Sequence, residues 1–192
     1  MKRILALVAA LAIAPLCVAA SADPYGDTIK LFKNAGESSG FFNKSYGYAV
    51  FPTIGKGALV VGGAHGKGQV YEHGKHVGDA AVTELSVGFQ AGGEAYSQMI
   101  FFEDKRAFDE FTSGHFEFGA GVSAVAITAA ASGDVGTTGA SASASGGKKD
   151  AKTAGEYHKG LAVFVISKGG ALVDASVAGQ KYSYKPLAAA KN

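Results

Sequence analysis

The run Gly62-Gly-Ala-His-Gly-Lys-Gly68 is where residue types and spacing first suit a ligand. Glycines let backbone N–H groups approach a phosphate closely, and Lys67 and His65 add positive charge beside them. A P-loop needs serine or threonine after its lysine. Here Gly68 follows Lys67, and Val61 stands where the first glycine belongs. The dinucleotide spacing G-x-G-x-x-G fails as well. What is left is a glycine-rich turn or bulge between two strands, or a close backbone approach to a ligand or membrane headgroup. His73-x-x-His76 with Glu72 suggests metal only superficially, because zinc takes three or four converging ligands and two histidines on a predicted turn supply too few. His115 and His158 stand alone, there is no G-x-S-x-G elbow, and nothing in the spacing pairs Glu84, Glu94, Glu103 or Asp104. No catalytic set, metal or cofactor is expected. Lys30 and Lys33, beside the apolar side of a predicted helix and followed by Lys44, form a basic amphipathic element. Such an element can lie at a membrane interface or cover a sheet.

The elements that position these groups follow from periodicity. Asp23-Pro24 suits a helix start. From Thr28 to Phe42, Ile29, Leu31, Phe32, Ala35 and Phe42 fall in one arc at helical spacing, with Phe41 the exception. Strand signals dominate afterwards. They run from Tyr46 to Phe51, ending at Pro52; from Ala58 to Val61; from Gln69 to Tyr71 with a turn at His73-Gly74-Lys75; from Glu84 to Ala91, with clean alternation; and from Ala95 to Phe102. Asp104 to Phe111 reads as a short helix stopped by Ser113-Gly114. Phe116 to Thr128 reads as a long small-residue strand, and Leu161 to Ile166 as a strand covered on both faces. Ala171 to Val177 and Gln180 to Tyr184 read as a hairpin. The fold class is therefore α+β: a single domain on a curled or closed, mainly antiparallel β-sheet of about eight strands, with an N-terminal amphipathic helix and a second short helix.

Length and composition agree with this. The chain has 192 residues, 47% hydrophobic and 18% charged, with formal net charge +2. That excludes a disordered chain and a nucleic-acid binder held by bulk positive charge. Met1-Lys2-Arg3, the apolar run from Ile4 to Leu16 and the small-x-small sites at Val18 to Ala22 have the layout of a secretory signal peptide over residues 1–22, cleaved after Ala20 or Ala22. The only cysteine, Cys17, leaves with it. So do two of the 18 basic residues and none of the 16 acidic ones, which brings the charge to zero. The expected location is periplasmic or exported. Residues 131–155 are almost pure Ala, Ser, Gly and Thr with three lysines, too little apolar surface to bury, and read as a flexible loop.

From about Lys44 to Pro186 the chain resembles the SYLF domain family. The resemblance rests on Gly47-Tyr-Ala-Val-Phe-Pro52, on Gly57 to Tyr71, on Ser86-Val-Gly-Phe-Gln-Ala-Gly-Gly93, on Lys159-Gly-Leu161 and on Ala175-Ser-Val-Ala-Gly179, in that order. It implies a non-enzymatic domain that binds membrane lipid, contacting the bilayer through an N-terminal amphipathic helix and basic residues. Some relatives bind phosphoinositides or actin. An exported bacterial protein meets no actin filament, so the implied partner is an anionic phospholipid surface, with the candidate contacts Lys30, Lys33, Lys44, Lys56, His65 and Lys67. The alternatives are an exported structural or stress-linked protein-interaction module without a lipid ligand, and a small outer-membrane β-barrel. Against the barrel, Met99 to Phe102 and Leu161 to Ile166 do not alternate.

Overall fold

A computed structural model describes residues 23–58, 61–87, 92–118, 124–127, 156–169, 177 and 179–188. The leader at 1–22, the segment at 131–155 and most of the first arm of the expected late hairpin lie outside the described residues. Among the described residues three α-helices, α1 (Pro24–Asn34), α2 (Gly36–Ser39) and α3 (Lys105–Thr112), accompany β1 (Gly47–Ala58), β2 (Val61–Glu72), β3 (Lys75–Val87), β4 (Gly92–Phe102), β5 (Phe116–Glu117), β6 (Val125–Ile127), β7 (Leu161–Gly169) and β8 (Gln180–Pro186). A 3-10 turn at Gly40–Asn43 follows α2. The strands form one sheet in the order β5-β8-β3-β2-β1-β4-β7-β6. Pairing is antiparallel except between β6 and β7.

The sheet has to curl. β8 and β4 are four positions apart in it, about 19 Å at the usual strand spacing. Yet Gln98 Nε2 on β4 donates to the Tyr182 hydroxyl on β8 at 2.7 Å. The concave side encloses Phe51, Ile54, Val70, Val82, Ile100, Phe102, Val163 and Val165, with Phe108 and Phe111 of α3 closing over them. The convex side carries Tyr48, Val50, Met99, Phe101, Phe164 and Ile166 beneath Phe32 and Ala35. β7 contributes to both cores, as its unbroken apolar run requires.

The N-terminal helix is shorter than the periodicity predicts. Ala35 adopts an extended backbone (φ −83°, ψ 116°) and ends α1. The Ser38 hydroxyl donates to Phe32 O at 2.7 Å and ties the break together. The break resets the helical phase, so Phe41 as well as Phe42 turns down onto Phe101, with ring centroids 5.4 and 4.9 Å away. Phe41 is out of arc only on the assumption of one continuous helix.

β1 does not stop at Pro52. Its register slips against both neighbours around this residue, between Val50 and Thr53 on β2 and between Phe51 and Ile54 on β4. A proline lacks the N–H a central strand needs, and a bulge accommodates it. The Ser97 hydroxyl donates to Pro52 O at 2.7 Å. The glycine-rich run is likewise strand rather than turn, since β2 passes straight through Gly62 to Gly68. A Cβ on Gly68 would lie 2.6 Å from two Phe51 ring carbons and 2.8 Å from Val50 O. One on Gly66 would lie 2.7 Å from Ile54 Cγ1. These two glycines make room for the bulged β1. The turn after β2 sits at His73-Gly74, where both φ angles are positive (47° and 80°), the geometry of a two-residue hairpin.

One further expectation is corrected. Phe116 to Thr128 is not one strand: β5 pairs with β8 at one edge of the sheet and β6 with β7 at the other. Among the described residues, the partners of β8 are β3 and β5. The second short helix is where Asp104 predicts it, its carboxylate accepting from Ala107 N at 2.8 Å as an N-cap.

Candidate functional site

Alternation along the curled sheet sorts its polar side chains into two sets. The concave side holds an interior cluster. Glu84 (β3), Gln98 (β4) and Gln180 (β8) are buried. Lys56 Nζ lies 3.1 Å from Glu84 Oε1, the two side chains keeping 13% and 6% of their exposure. Gln180 Nε2 donates to Glu84 Oε2 at 3.1 Å and to the Tyr96 hydroxyl at 2.9 Å. Tyr182 OH donates to Gln180 Oε1 and accepts from Gln98 Nε2. Burial pushes the Tyr182 phenol well above its ordinary pKa, so it stays a neutral donor. The cluster staples β1, β3, β4 and β8 together across the interior.

Of the six predicted contact residues, Lys56 therefore points inward and is neutralised by Glu84. The other five are placed on the convex side in two groups. Lys30 and Lys33 lie on α1 and Lys44 just after the 3-10 turn, all exposed. Lys30 pairs with Asp27 at 3.4 Å, and Lys33 Nζ stands 5.3 Å from the centre of the Phe42 ring. His65 and Lys67 are exposed on β2, facing the same way as Tyr71 but beyond the helical cap. Sequence reasoning missed three cations on this side: Lys168 on β7, and Lys181 and Lys185 on β8, all exposed. A signal was available on β8, where Lys181, Ser183 and Lys185 alternate with Gln180, Tyr182 and Tyr184 at period two; the unbroken apolar run before Lys168 gave none on β7.

The histidine pair is structural. His73 packs edge-on against Tyr46, with centroids 4.4 Å apart, and His76 Nε2 lies 3.0 Å from Gly78 O and 3.2 Å from Asp79 Oδ1. Among the described residues no three His, Cys, Asp or Glu converge as a metal set, and no helix is long and apolar enough to cross a membrane. On the convex side, burial raises the Tyr48 and Tyr157 phenols to about 12, so neither offers acid–base chemistry near neutral pH.

Comparison with known proteins gives two matches. The family model Ysc84, described as a Las17-binding protein actin regulator, matches residues 83–189. A relative from Aeromonas veronii named "Beta cell expansion factor A" is 32% identical over 158 residues, covering 80% of this chain and 51% of that protein. The chain thus spans about half the length of the curated relative it matches.

Proposed function

The chain belongs to the Ysc84 (SYLF) family, and from that premise we propose that it is a non-enzymatic lipid-binding module of an exported bacterial protein, docking peripherally on anionic phospholipid membranes. The observation that carries this reading is the exposed Lys67 and His65 on the convex face of β2, beside an α1 whose lysines also face solvent. Cations held on a rigid sheet attract anionic headgroups without ordering a flexible segment first. Export of the chain by its leader would place it against a bacterial membrane surface. The inward cluster is no rival site, because its one cation is already neutralised by Glu84. A membrane-spanning barrel would need an apolar outward band. The exposed lysines at 67, 168 and 181 favour peripheral docking over that alternative.

Liposome flotation tests the reading. The protein purified after export should float with vesicles containing phosphatidylglycerol at low salt, release as salt rises, and ignore pure phosphatidylcholine. Absence of binding to both at low salt would refute it. Capture of a stoichiometric periplasmic protein in its place would favour the interaction-module alternative.

A further inference from the structure

Resting on the lipid-binding reading, we propose that the headgroup-contacting surface is the open convex face of the sheet, centred on Lys67 and Lys168 and flanked by Lys181 and Lys185, and not the helical cap. Register brings these residues together from distant parts of the chain. Lys67 on β2 pairs with Thr53 on β1, and Lys168 Nζ reaches from β7 to the Thr53 hydroxyl at 3.1 Å. Across the other side, Lys67 pairs with Ala81 on β3, and Ala81 with Ser183 on β8, between Lys181 and Lys185. His65 pairs with Thr83, which pairs with Lys181. The convex neighbours Thr53, Gly55, Ala81, Thr83 and Ser183 are small, so among the described residues of these strands no bulky side chain stands between the ammonium groups and an anionic surface.

Charge decides between the faces. On this one, four lysines and His65 stand against Asp79 and Glu117; Glu117 pairs with Lys181 at 3.6 Å, and Asp79 lies against His76 and opposite Lys185 in the β3–β8 ladder, which leaves Lys67 and Lys168 as the centre of the face. The lysines at 67 and 168 have no carboxylate facing them from the described parts of β1, β2, β3, β7 or β8. The helical cap is balanced, with Lys30, Lys33 and Lys44 against Asp23, Asp27 and Glu37. The α3 end is acidic, with Lys105 and Arg106 against Glu103, Asp104, Asp109 and Glu110. The cap's apolar side is committed to the sheet, with Ile29, Leu31, Phe41 and Phe42 half-buried against the convex core. Phe32 is fully buried and Thr28 and Ala35 nearly so, and inserting α1 would strip it from Tyr48 and Val50. The large hydrophobic exposed among the described residues is Leu187, at the end of β8 beside Lys185.

The test compares two triple reversals of the chain purified after export, K67E/K168E/K181E and K30E/K33E/K44E, with matching Lys→Gln sets. Circular dichroism and melting are recorded on each, and affinity is measured on phosphatidylcholine vesicles with and without phosphatidylglycerol. At about fivefold per lysine, the sheet reversal should weaken binding to phosphatidylglycerol vesicles by about a hundredfold or more. Its glutamine set should show a smaller loss and an unchanged melt, and the cap reversal a change of a few-fold at most. A cap reversal that costs as much as the sheet reversal, or more, overturns the assignment while leaving lipid binding intact. Failure of the unaltered protein to bind at low salt overturns the lipid-binding reading itself. Binding to an anionic protein or polymer with the same sheet-variant sensitivity, but not to vesicles, would reassign the face to that partner.

Discussion

Glu84→Gln is the most informative single substitution in the interior. The Lys56–Glu84 pair keeps 13% and 6% of its exposure, so each charge depends on the other for compensation. Glutamine has nearly the same shape and can still accept from Gln180 Nε2, which isolates the loss of charge. Leaving one member of a buried pair uncompensated costs about 3–5 kcal/mol. Because Lys56 retains a little solvent, the lower end, about 3 kcal/mol, applies. For a domain of this size that corresponds to a melting temperature lower by roughly 6–12 °C. Lys56→Met should also destabilise, by about 2–3 kcal/mol, since Glu84 keeps its hydrogen bond from Gln180. The double variant removes both charges and should cost clearly less than the two singles added, with a coupling of about 2 kcal/mol. Urea denaturation of the four proteins at neutral pH measures this, and the Lys56→Met protein should still bind anionic vesicles as the parent does. A Glu84→Gln cost below about 1 kcal/mol, or simple additivity in the double variant, would show that the interior pair is solvated and the reasoning wrong.

Two other outcomes follow from local geometry. Gly68→Ala should cost about 1–3 kcal/mol by overpacking against Phe51 and Val50 O, while Gly55→Ala, with nothing within 4 Å of the new methyl, should be near neutral. Equal denaturation midpoints for the two would refute the packing account of the glycine run. The raised phenols of Tyr48 and Tyr157, at about 12 against about 10 in the unfolded chain, favour the neutral ring in the folded state. Stability should therefore be level below pH 10 and fall between about pH 10 and 12, where the unfolded chain releases these protons first. Urea midpoints that stay constant over that range, or a Tyr48→Phe protein with an unchanged slope, would contradict it.

What the sequence made legible was whatever local chemistry decides. The α3 helix is bounded by the Asp104 cap and by Ser113-Gly114, the β2–β3 hairpin turns where His73-Gly74 can take positive φ, and β7 is buried on both faces because it has no polar alternation. The errors fall where a distant partner decides. Gly62 to Gly68 carries turn composition, but Gly66 and Gly68 answer to the Ile54 and Phe51 side chains of a strand paired alongside. Phe116 to Thr128 has a continuous strand composition, yet its two ends join opposite edges of the sheet, which only the curled topology dictates.

The candidate site shows the same limit in one residue. Straight alternation from Phe51, which faces the concave core, would put Thr53 and Gly55 inside and Lys56 outside, where a lipid-contacting lysine belongs. The bulge at Pro52 adds one residue to that count, so Ile54 joins Phe51 in the same core and Lys56 follows it inward to Glu84. A slip of one residue exchanges the two faces of a strand. The same slip turns Thr53 outward, where it accepts from Lys168 opposite Lys67. The proline thus does two things at once: it moves one lysine into the interior staple, and it clears a small polar position around which two others gather on the open face. Parity counted from the ladder, rather than from composition, separates the structural lysine from the surface ones and puts Lys181 and Lys185 on the face of Lys67, while the hydrogen bond to Thr53 puts Lys168 there.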